Sequence, residues 1–136
     1  MRTTTLDDEQ RTLKYLQDFA ADLHSQRAFR VDIDGKFTAP PKPCTAAIQQ
    51  LVSLAQEAAK EIGISLPTGS TGGTCDGNRL AVAGLPNVDN LGARGGSLHS
   101  PEEFIYIDSL VERAKLFYRI LEKLNQRFAE RTNLLD

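Results

Sequence analysis

The chain has 136 residues, of which 40% are hydrophobic, enough for one hydrophobic core in one domain or in pieces of two. A formal net charge of −2, with both signs mixed along the chain, argues against a basic face for nucleic acid or anionic membranes. The first ten residues contain no apolar run, so we expect that they are not a secretory signal, and no apolar run in the chain approaches the roughly 20 residues that span a bilayer. Cys44 and Cys75 lack metal or redox spacing, which predicts a reducing, cytoplasmic location.

The first part of the chain predicts one helix and one strand ahead of a proline-rich connector. Residues 6 to 25 carry apolar side chains at helical spacing, and Thr5 offers a cap oxygen just before acidic residues. Residues 29 to 33 then alternate apolar and polar side chains, which predicts a strand with one buried face. Because a single strand needs hydrogen-bond partners, its neighbours must come from elsewhere. Three prolines among residues 40 to 43 predict a stiff connector and a domain boundary.

The rest of the chain predicts three more helices and two short strands. One helix ends at Gly63, which suits a left-handed C-cap, and a short alanine-rich helix closes at Gly84. The segments "NVDNL" and "FIYI" predict short buried strands on either side of the glycine-rich turn "GARGG". Asp108 is predicted to cap a long final helix. The apolar stripe of that helix comprises Leu110, Ala114, Phe117, Leu121, Leu124 and Phe128.

The stretch "RGGSLHSPEEF", residues 94 to 104, contains one of the two histidines in the chain. Residues 100 to 103 have the types of an N-cap, a first helical position and a capping-box acid, so His99 should precede a rigid helical turn. Gly95 and Gly96 omit side chains where another group needs close access. A fixed, uncrowded position suits a metal ligand or a general base. The alternative is an ordinary surface histidine in a loop.

The stretch "GGTCDGN", residues 72 to 78, is a glycine-rich loop that leads into a helix. Converging backbone N–H groups at a helix start suit a carboxylate or a phosphate, although no Gly-Lys-Ser/Thr follows and the loop is not a Walker loop. The alternative is an ordinary loop with Asp76 as the helix cap. A thiol enzyme with His99 activating Cys75 is a further alternative, but no orienting acid occupies a recognisable position. Cys75 is otherwise expected to be a small buried residue.

The segment "GGTCDGNRLAVAGLPNVDNLGARGGSLHSPEEFIYIDSLVERAKLFYRIL" closely resembles the C-terminal segment of a family of co-catalytic zinc peptidases and amidohydrolases. The family includes glutamate carboxypeptidase, aminoacylase, succinyl-diaminopimelate desuccinylase and peptidase T. The shared order is Gly-Thr-x-Asp-Gly-Asn, Gly-x-Pro, Leu-Gly, Gly-Gly, His-Ser-x-x-Glu and Asp-Ser-Leu before a long helix. The resemblance implies an α/β fold. Residues 40–136 would be the C-terminal part of the catalytic domain, with helices on a mixed sheet, and residues 1–39 would be the last helix and strand of the α+β lid, or dimerisation, domain.

The resemblance also implies roles for particular residues. His99 would be the last zinc ligand of the family, Thr74 and Asn78 would line the substrate pocket, and Gly95 and Gly96 would let substrate and metal lie close to the backbone. Asp76 would be largely structural. The complete enzyme would use two zinc ions to hydrolyse peptide or acyl-amino-acid amides, typically with a free carboxylate on the substrate.

The chain departs from the family pattern because the other zinc ligands and the general base are missing. No His-x-Asp pair and no matching Glu-Glu pair precede the prolines, whereas catalytic zinc needs about three protein ligands. We therefore expect a fragment, most like glutamate carboxypeptidase, that is inactive alone, binds zinc weakly at most and contains no catalytic residue of its own. Its expected partners are the missing N-terminal half and a second copy in a homo-oligomer, with neither nucleic acid nor membrane. The alternatives are a non-catalytic binding or assembly module and a remnant of a split gene.

Overall fold

The computed structural model describes residues 1–26 and 29–132, in which four helices and one small sheet form two compact units. The first unit consists of Met1–Cys44 and Thr71–Leu85, and the second of Thr45–Ser70 and Pro86–Asp136. Residues 27–28 and 133–136 of the predicted domain ranges lie outside the described residues. None of the described helices is both long enough and apolar enough to cross a bilayer.

Helix α1, Leu6–Ser25, belongs to the first unit and begins and ends where the sequence predicts. The Thr5 hydroxyl accepts a hydrogen bond from the backbone N–H of Asp8 at 3.0 Å, and three acidic residues occupy the first turn. The hydroxyl satisfies one of the free backbone N–H groups at the helix start, and the acidic side chains complement the partial positive charge there. The helix nevertheless buries none of its residues, and Tyr15 and Phe19 stack on its surface with ring centroids 6.4 Å apart.

The strand predicted over residues 29 to 33 is not formed, and this part of the prediction is wrong. Phe29 and Ile33, two of the residues that should face a core, are 64% and 47% exposed. A strand is held by ladder hydrogen bonds to a neighbour, and the described residues place no strand beside this segment. Alternation of apolar and polar residues therefore indicates that a segment is suited to a strand. The strand forms only when a neighbouring strand is present to pair with it.

Helix α3, Asp76–Val82, also lies in the first unit. It closes at Gly84 as predicted, with φ +89°, and the Leu85 N–H donates to the Leu80 carbonyl at 2.9 Å. This pattern is the left-handed helix end that glycine adopts without steric cost. The N-cap is Cys75, and Asp76, which the alternative interpretation made the helix cap, is the first helical residue.

The second unit is built on two helices that pack together, α2 (Ala46–Glu61) and α4 (Asp108–Thr132). The Thr45 hydroxyl caps α2, and Gly63 at φ +73° ends it as predicted. The small side chains of α2 let α4 approach closely, and the resulting core is entirely apolar. Its buried members are Leu54, Ala55, Ala58, Ala59, Leu116 and Ile120.

The face of α4 that enters this core differs from the predicted stripe. Leu116 and Ile120 are buried and Leu124 is half-buried, whereas Leu110 and Phe117 of the predicted stripe are 49% and 57% exposed. The sequence shows a broad apolar arc on this helix, and only the position of α2 decides which part of it is covered. Asp108 is the first residue of the helix instead of the residue before it.

The sheet consists of β1 (Gly95–Gly96) and β2 (Phe104–Ile105), paired antiparallel. The α/β prediction is thus confirmed in part, since the described residues hold two antiparallel strands and no mixed sheet. "FIYI" provides β2, but its residues are exposed instead of buried, and residues 87 to 91 are not a strand. Strand β1 lies within the predicted glycine-rich turn, where the two backbones approach closely.

Candidate functional site

A seven-residue loop, residues 97–103, joins β1 to β2 and carries His99. It consists of two successive turns, closed by Ser100 N–H to the Ser97 carbonyl and by Glu103 N–H to the Ser100 carbonyl, both at 3.1 Å. The predicted helical turn over residues 100 to 103 is therefore wrong. The chain must return to pair with β1, so its backbone groups are used in turns. The Ser100 hydroxyl still accepts a local bond, from the Glu102 N–H at 3.2 Å.

His99 has a left-handed backbone conformation with φ +66° and an exposed side chain. Histidine is one of the few non-glycine residues enriched in this region, which costs of order 1 kcal/mol and persists where neighbours enforce it. One such neighbour is Glu103, whose carboxylate accepts the His99 backbone N–H at 3.1 Å. The loop thus fixes the backbone that carries this imidazole while leaving the ring accessible.

Gly95 and Gly96 face Phe104 across the small sheet. A Cβ at Gly95 would collide with the Phe104 carbonyl oxygen, and a Cβ at Gly96 would lie 2.9 Å from the Phe104 ring. Both positions need glycine because β2 approaches so closely. This contact gives the two glycines a structural reason, and the predicted role in admitting substrate and metal stays a prediction.

Ser109 joins the hairpin to α4, and the sequence reasoning missed it. Its buried hydroxyl donates to the Tyr106 carbonyl at 2.5 Å and accepts from the Arg94 N–H at 2.9 Å. The Arg94 guanidinium pairs with Glu112 at 3.2 Å and lies over the Tyr106 ring. A serine in the first helical turn is the signal that could have indicated this link. These bonds position the base of the hairpin that carries His99.

Thr74 lies in the first unit, beside a cavity of about 200 Å³. The cavity is mostly polar, with one guanidinium and one carboxyl group among its lining side chains. These are Thr38, Ala39, Thr74, Cys75, Asp76 and Arg79. Threonine hydroxyls and an arginine provide donors for an anionic group, although the cavity is small compared with the roughly 300 to 1,000 Å³ of ordinary ligand pockets.

Asn78 is buried in the first unit, and both ends of its amide are engaged. Its Oδ1 accepts the Cys75 N–H at 3.1 Å, and its Nδ2 donates to the Pro40 carbonyl at 2.8 Å. These bonds tie the start of α3 to the proline connector, so the observed contacts of this amide are structural. Cys75 is exposed, which corrects the expectation of a small buried residue.

The candidate residues are divided between the two units, with Thr74 and Asn78 in the first and Gly95, Gly96 and His99 in the second. Within the described ranges, no group of three or more His, Cys, Asp or Glu side chains could hold a metal ion. A catalytic zinc needs about three protein ligands, and His99 offers one. The side chains described therefore do not form by themselves the zinc site that the resemblance implies.

One family model matches most of the chain, including the hairpin that carries His99. The model of peptidase family M20/M25/M40 matches residues 7–123, which include all of α1 but its first residue, α2, α3, the hairpin and most of α4. The chain belongs to this family, and the resemblance seen in the sequence is confirmed. The family is one of peptidases and related amidohydrolases, and a mainly helical chain with one small sheet is compatible with part of such a domain.

Curated relatives carry two kinds of name. A succinyl-diaminopimelate desuccinylase of Psychrobacter arcticus is 37% identical over 76 residues, which are 55% of this chain and 18% of that protein. A peptidase T of Geobacillus thermodenitrificans is 30% identical over 80 residues, 59% of this chain and 19% of that protein. A succinyl-diaminopimelate desuccinylase of Acinetobacter baylyi is 30% identical over 95 residues, which are 69% of this chain and 25% of that protein. The chain thus spans about a fifth of the length of these relatives. No solved structure matches it.

Proposed function

We propose that this chain is the C-terminal part of an M20-type zinc hydrolase that cleaves an amide bond in a small peptide or acyl-amino-acid substrate. The observation that supports it most directly is the family match over residues 7–123, which contains the hairpin of His99. The names of the relatives describe removal of a succinyl group and cleavage of peptides, both of which break amide bonds. A glutamate-carboxypeptidase-like preference for a substrate with a free carboxylate is the finer proposal.

His99 is proposed to supply one zinc ligand, and the remaining ligands and the general base come from the N-terminal part of the enzyme. The exposed ring on a fixed backbone supports this role, because a shared metal site requires an imidazole that is accessible to other ligands. Thr74, with the polar cavity and Arg79 beside it, is proposed to line the substrate pocket. Asn78 is proposed to hold the loop of that pocket through its bonds to Cys75 and Pro40.

The same proposal carries the remaining expectations. Gly95 and Gly96 are proposed to border the substrate and metal, residues 1–39 to belong to the lid domain and residues 40–136 to the catalytic domain. The chain by itself is proposed to be inactive, to bind zinc weakly, and to act in the cytoplasm as part of a dimer. The reason for expecting weak binding is that the described residues contain no group of three potential metal-ligating side chains to which His99 could belong.

The test uses the two histidines of the chain as a matched pair. The chain is co-expressed with the part of the Psychrobacter arcticus desuccinylase that lies outside the matched 76 residues. Zinc-dependent hydrolysis of a succinyl-amino acid and of a dipeptide is then measured. His99→Ala should lower activity at least about 100-fold, as loss of groups at a metal site does. His24→Ala, in the last turn of α1, should leave it unchanged.

Two results would contradict parts of this proposal. Equal activity of the His99→Ala and His24→Ala proteins would exclude His99 as a zinc ligand. Stoichiometric zinc and turnover in the purified chain alone would exclude the inactive-fragment proposal.

A non-catalytic binding or assembly module is the second candidate function. The observation that favours it is that the described side chains group no three potential metal ligands together. It predicts a stable complex with the N-terminal part that shows no hydrolysis of any amide substrate.

A further inference from the structure

Helix α4 is apolar over more than half of its circumference. At about 100° per residue, the positions that face α2 occupy roughly a quarter of the helix surface, at Leu116, Ile120 and Leu124. A second apolar arc of similar or greater width follows directly beside it. Most charged and amide side chains lie in the remaining sector, for example Lys115, Arg119, Glu122 and Gln126. Two are exceptions, since Arg113 lies in the arc that faces α2 and Asn125 lies within the second arc.

The second arc of α4, here named the outer face, is exposed in the structure. It consists of Leu110 at 49%, Val111 at 60%, Phe117 at 57%, Tyr118 at 60%, Leu121 at 48% and Phe128 at 65% exposure, together with Ala114. Six large side chains at about half exposure present roughly 600 Å² of mostly apolar surface, the upper end for the largest patch on a typical monomer. Packing against α2 does not account for these residues.

The small sheet adds to this surface next to the start of α4. Phe104 and Ile105 of β2 are 43% and 53% exposed, and Ile107 is 76% exposed. The sheet has two strands within the described residues, so each strand has one open edge. An open edge beside apolar side chains is a surface that further strands or helices cover in complete domains.

The width of the outer face and the length of the relatives point to its occupant. Pairing of two α4 helices would need a narrow seam of two residues in seven, whereas this arc is considerably broader. The matched region, residues 7–123, includes most of the arc, and this chain spans about a fifth of its relatives. These relatives therefore have about four times as much chain outside the region that they share with this chain.

We propose that the outer face of α4 and the adjoining β2 edge bind the remaining chain of an M20-type catalytic domain, which covers them with its own apolar surface. This inference rests on the proposed function, because it takes the partner to be the part that completes the enzyme. It assigns the association to the outer face, with Phe117 and Leu121 among its exposed large side chains.

The test uses the double variant Phe117→Glu/Leu121→Glu in the complete 136-residue chain. The tagged chain is co-expressed with the remaining part of the Psychrobacter arcticus desuccinylase, and the affinity of the complex is measured after purification. Two charges within an apolar interface should weaken association at least about 30-fold. Tyr15→Glu, at an exposed aromatic position of α1, is the matched control and should change affinity less than about twofold.

Far-ultraviolet circular dichroism checks that the variants keep their helices, which is expected because both positions are exposed. Hydrogen exchange provides a second measurement, since amides of β2 should become protected in the complex of the wild-type chain. Absence of a complex with the wild-type chain, or equal affinity of the double variant, would overturn the inference. So would a wild-type homodimer that the double variant dissociates, because the occupant would then be a second copy.

The experiment separates this inference from the proposed function. A complex that depends on Phe117 and Leu121 but hydrolyses no amide would contradict the proposed function and leave the docking face in place. A complex that keeps its affinity in the His99→Ala protein while losing hydrolysis would support both.

Discussion

Helices α1 and α2 have the same kind of N-cap but differ in how much of their surface is buried. Each is capped by a threonine hydroxyl, Thr5 and Thr45, and each has one apolar face. Helix α2 buries five residues, four of them in the core that it shares with α4, whereas α1, which is four residues longer, buries none. The comparison shows that local bonds define where a helix begins and ends, while a packing partner decides whether its apolar face becomes a core.

The largest expected effect on the free energy of unfolding comes from truncating a buried side chain in the α2–α4 core. Leu116 is fully buried in the α2–α4 core, so Leu116→Ala should lower the free energy of unfolding by about 2 to 5 kcal/mol. Leu16 of α1 is half-buried, and Leu16→Ala should cost less than about 1 kcal/mol. Urea unfolding followed by circular dichroism measures both. Equal losses would show that α1 is packed as well as α2.

The second effect concerns a pair of glycines with different surroundings. Alanine at Gly95 would meet the Phe104 carbonyl oxygen, whereas nothing lies within 4 Å of a Cβ at Gly92. Gly95→Ala should therefore cost about 1 to 3 kcal/mol and shift the backbone resonances of Phe104 and Ile105. Gly92→Ala should leave both the stability and those resonances nearly unchanged. Unshifted Phe104 resonances in Gly95→Ala would show that β2 does not pack against this glycine.

The features that sequence reasoning predicted correctly are those set by neighbours along the chain. The bounds of α1 follow from the Thr5 cap, and the ends of α2 and α3 follow from Gly63 and Gly84 at positive φ. The hydrogen bonds at these helix ends join residues three to five positions apart, so they can be predicted from the residue types of a short stretch of sequence.

The incorrect predictions concern contacts between distant parts of the chain. Residues 29 to 33 form no strand, because no neighbouring strand is present beside them in the described chain. The covered face of α4 could not be read from its apolar arc, since α2 selects it. The same reason hid Ser109, whose partners Arg94 and Tyr106 become neighbours only in the folded hairpin. For the site, the sequence indicated the loop of His99 but predicted helical geometry where two turns form.

The smallest expected effect on stability comes from removing the threonine N-caps, which α1 and α2 have in common. Thr5→Ala and Thr45→Ala should each cost about 1 kcal/mol of helix stability, despite the difference in burial, because each hydroxyl serves a local backbone N–H. Helicity at 25 °C as a function of urea concentration measures both losses. A much larger loss in Thr45→Ala would indicate that the cap of α2 also supports the core.

The Thr5 cap of α1 is hydrogen-bonded to a titratable residue, Asp8, whereas the first turn of α2 contains no acidic residue. Hydrogen bonds from the Thr5 and Thr4 hydroxyls, with Arg11 nearby, hold the pKa of Asp8 below its ordinary value of 3.8. Because the folded pKa is the lower one, the stabilisation is complete above pH 3.8 and is lost as the pH falls through the folded value. In Thr5→Ala the pKa of Asp8 should rise toward 3.8, as an NMR titration of its carboxyl carbon would show. An unchanged pKa would mean that Thr4 and Arg11, and not the Thr5 hydroxyl, hold the carboxylate, and the loss of helicity in Thr5→Ala would then be independent of pH.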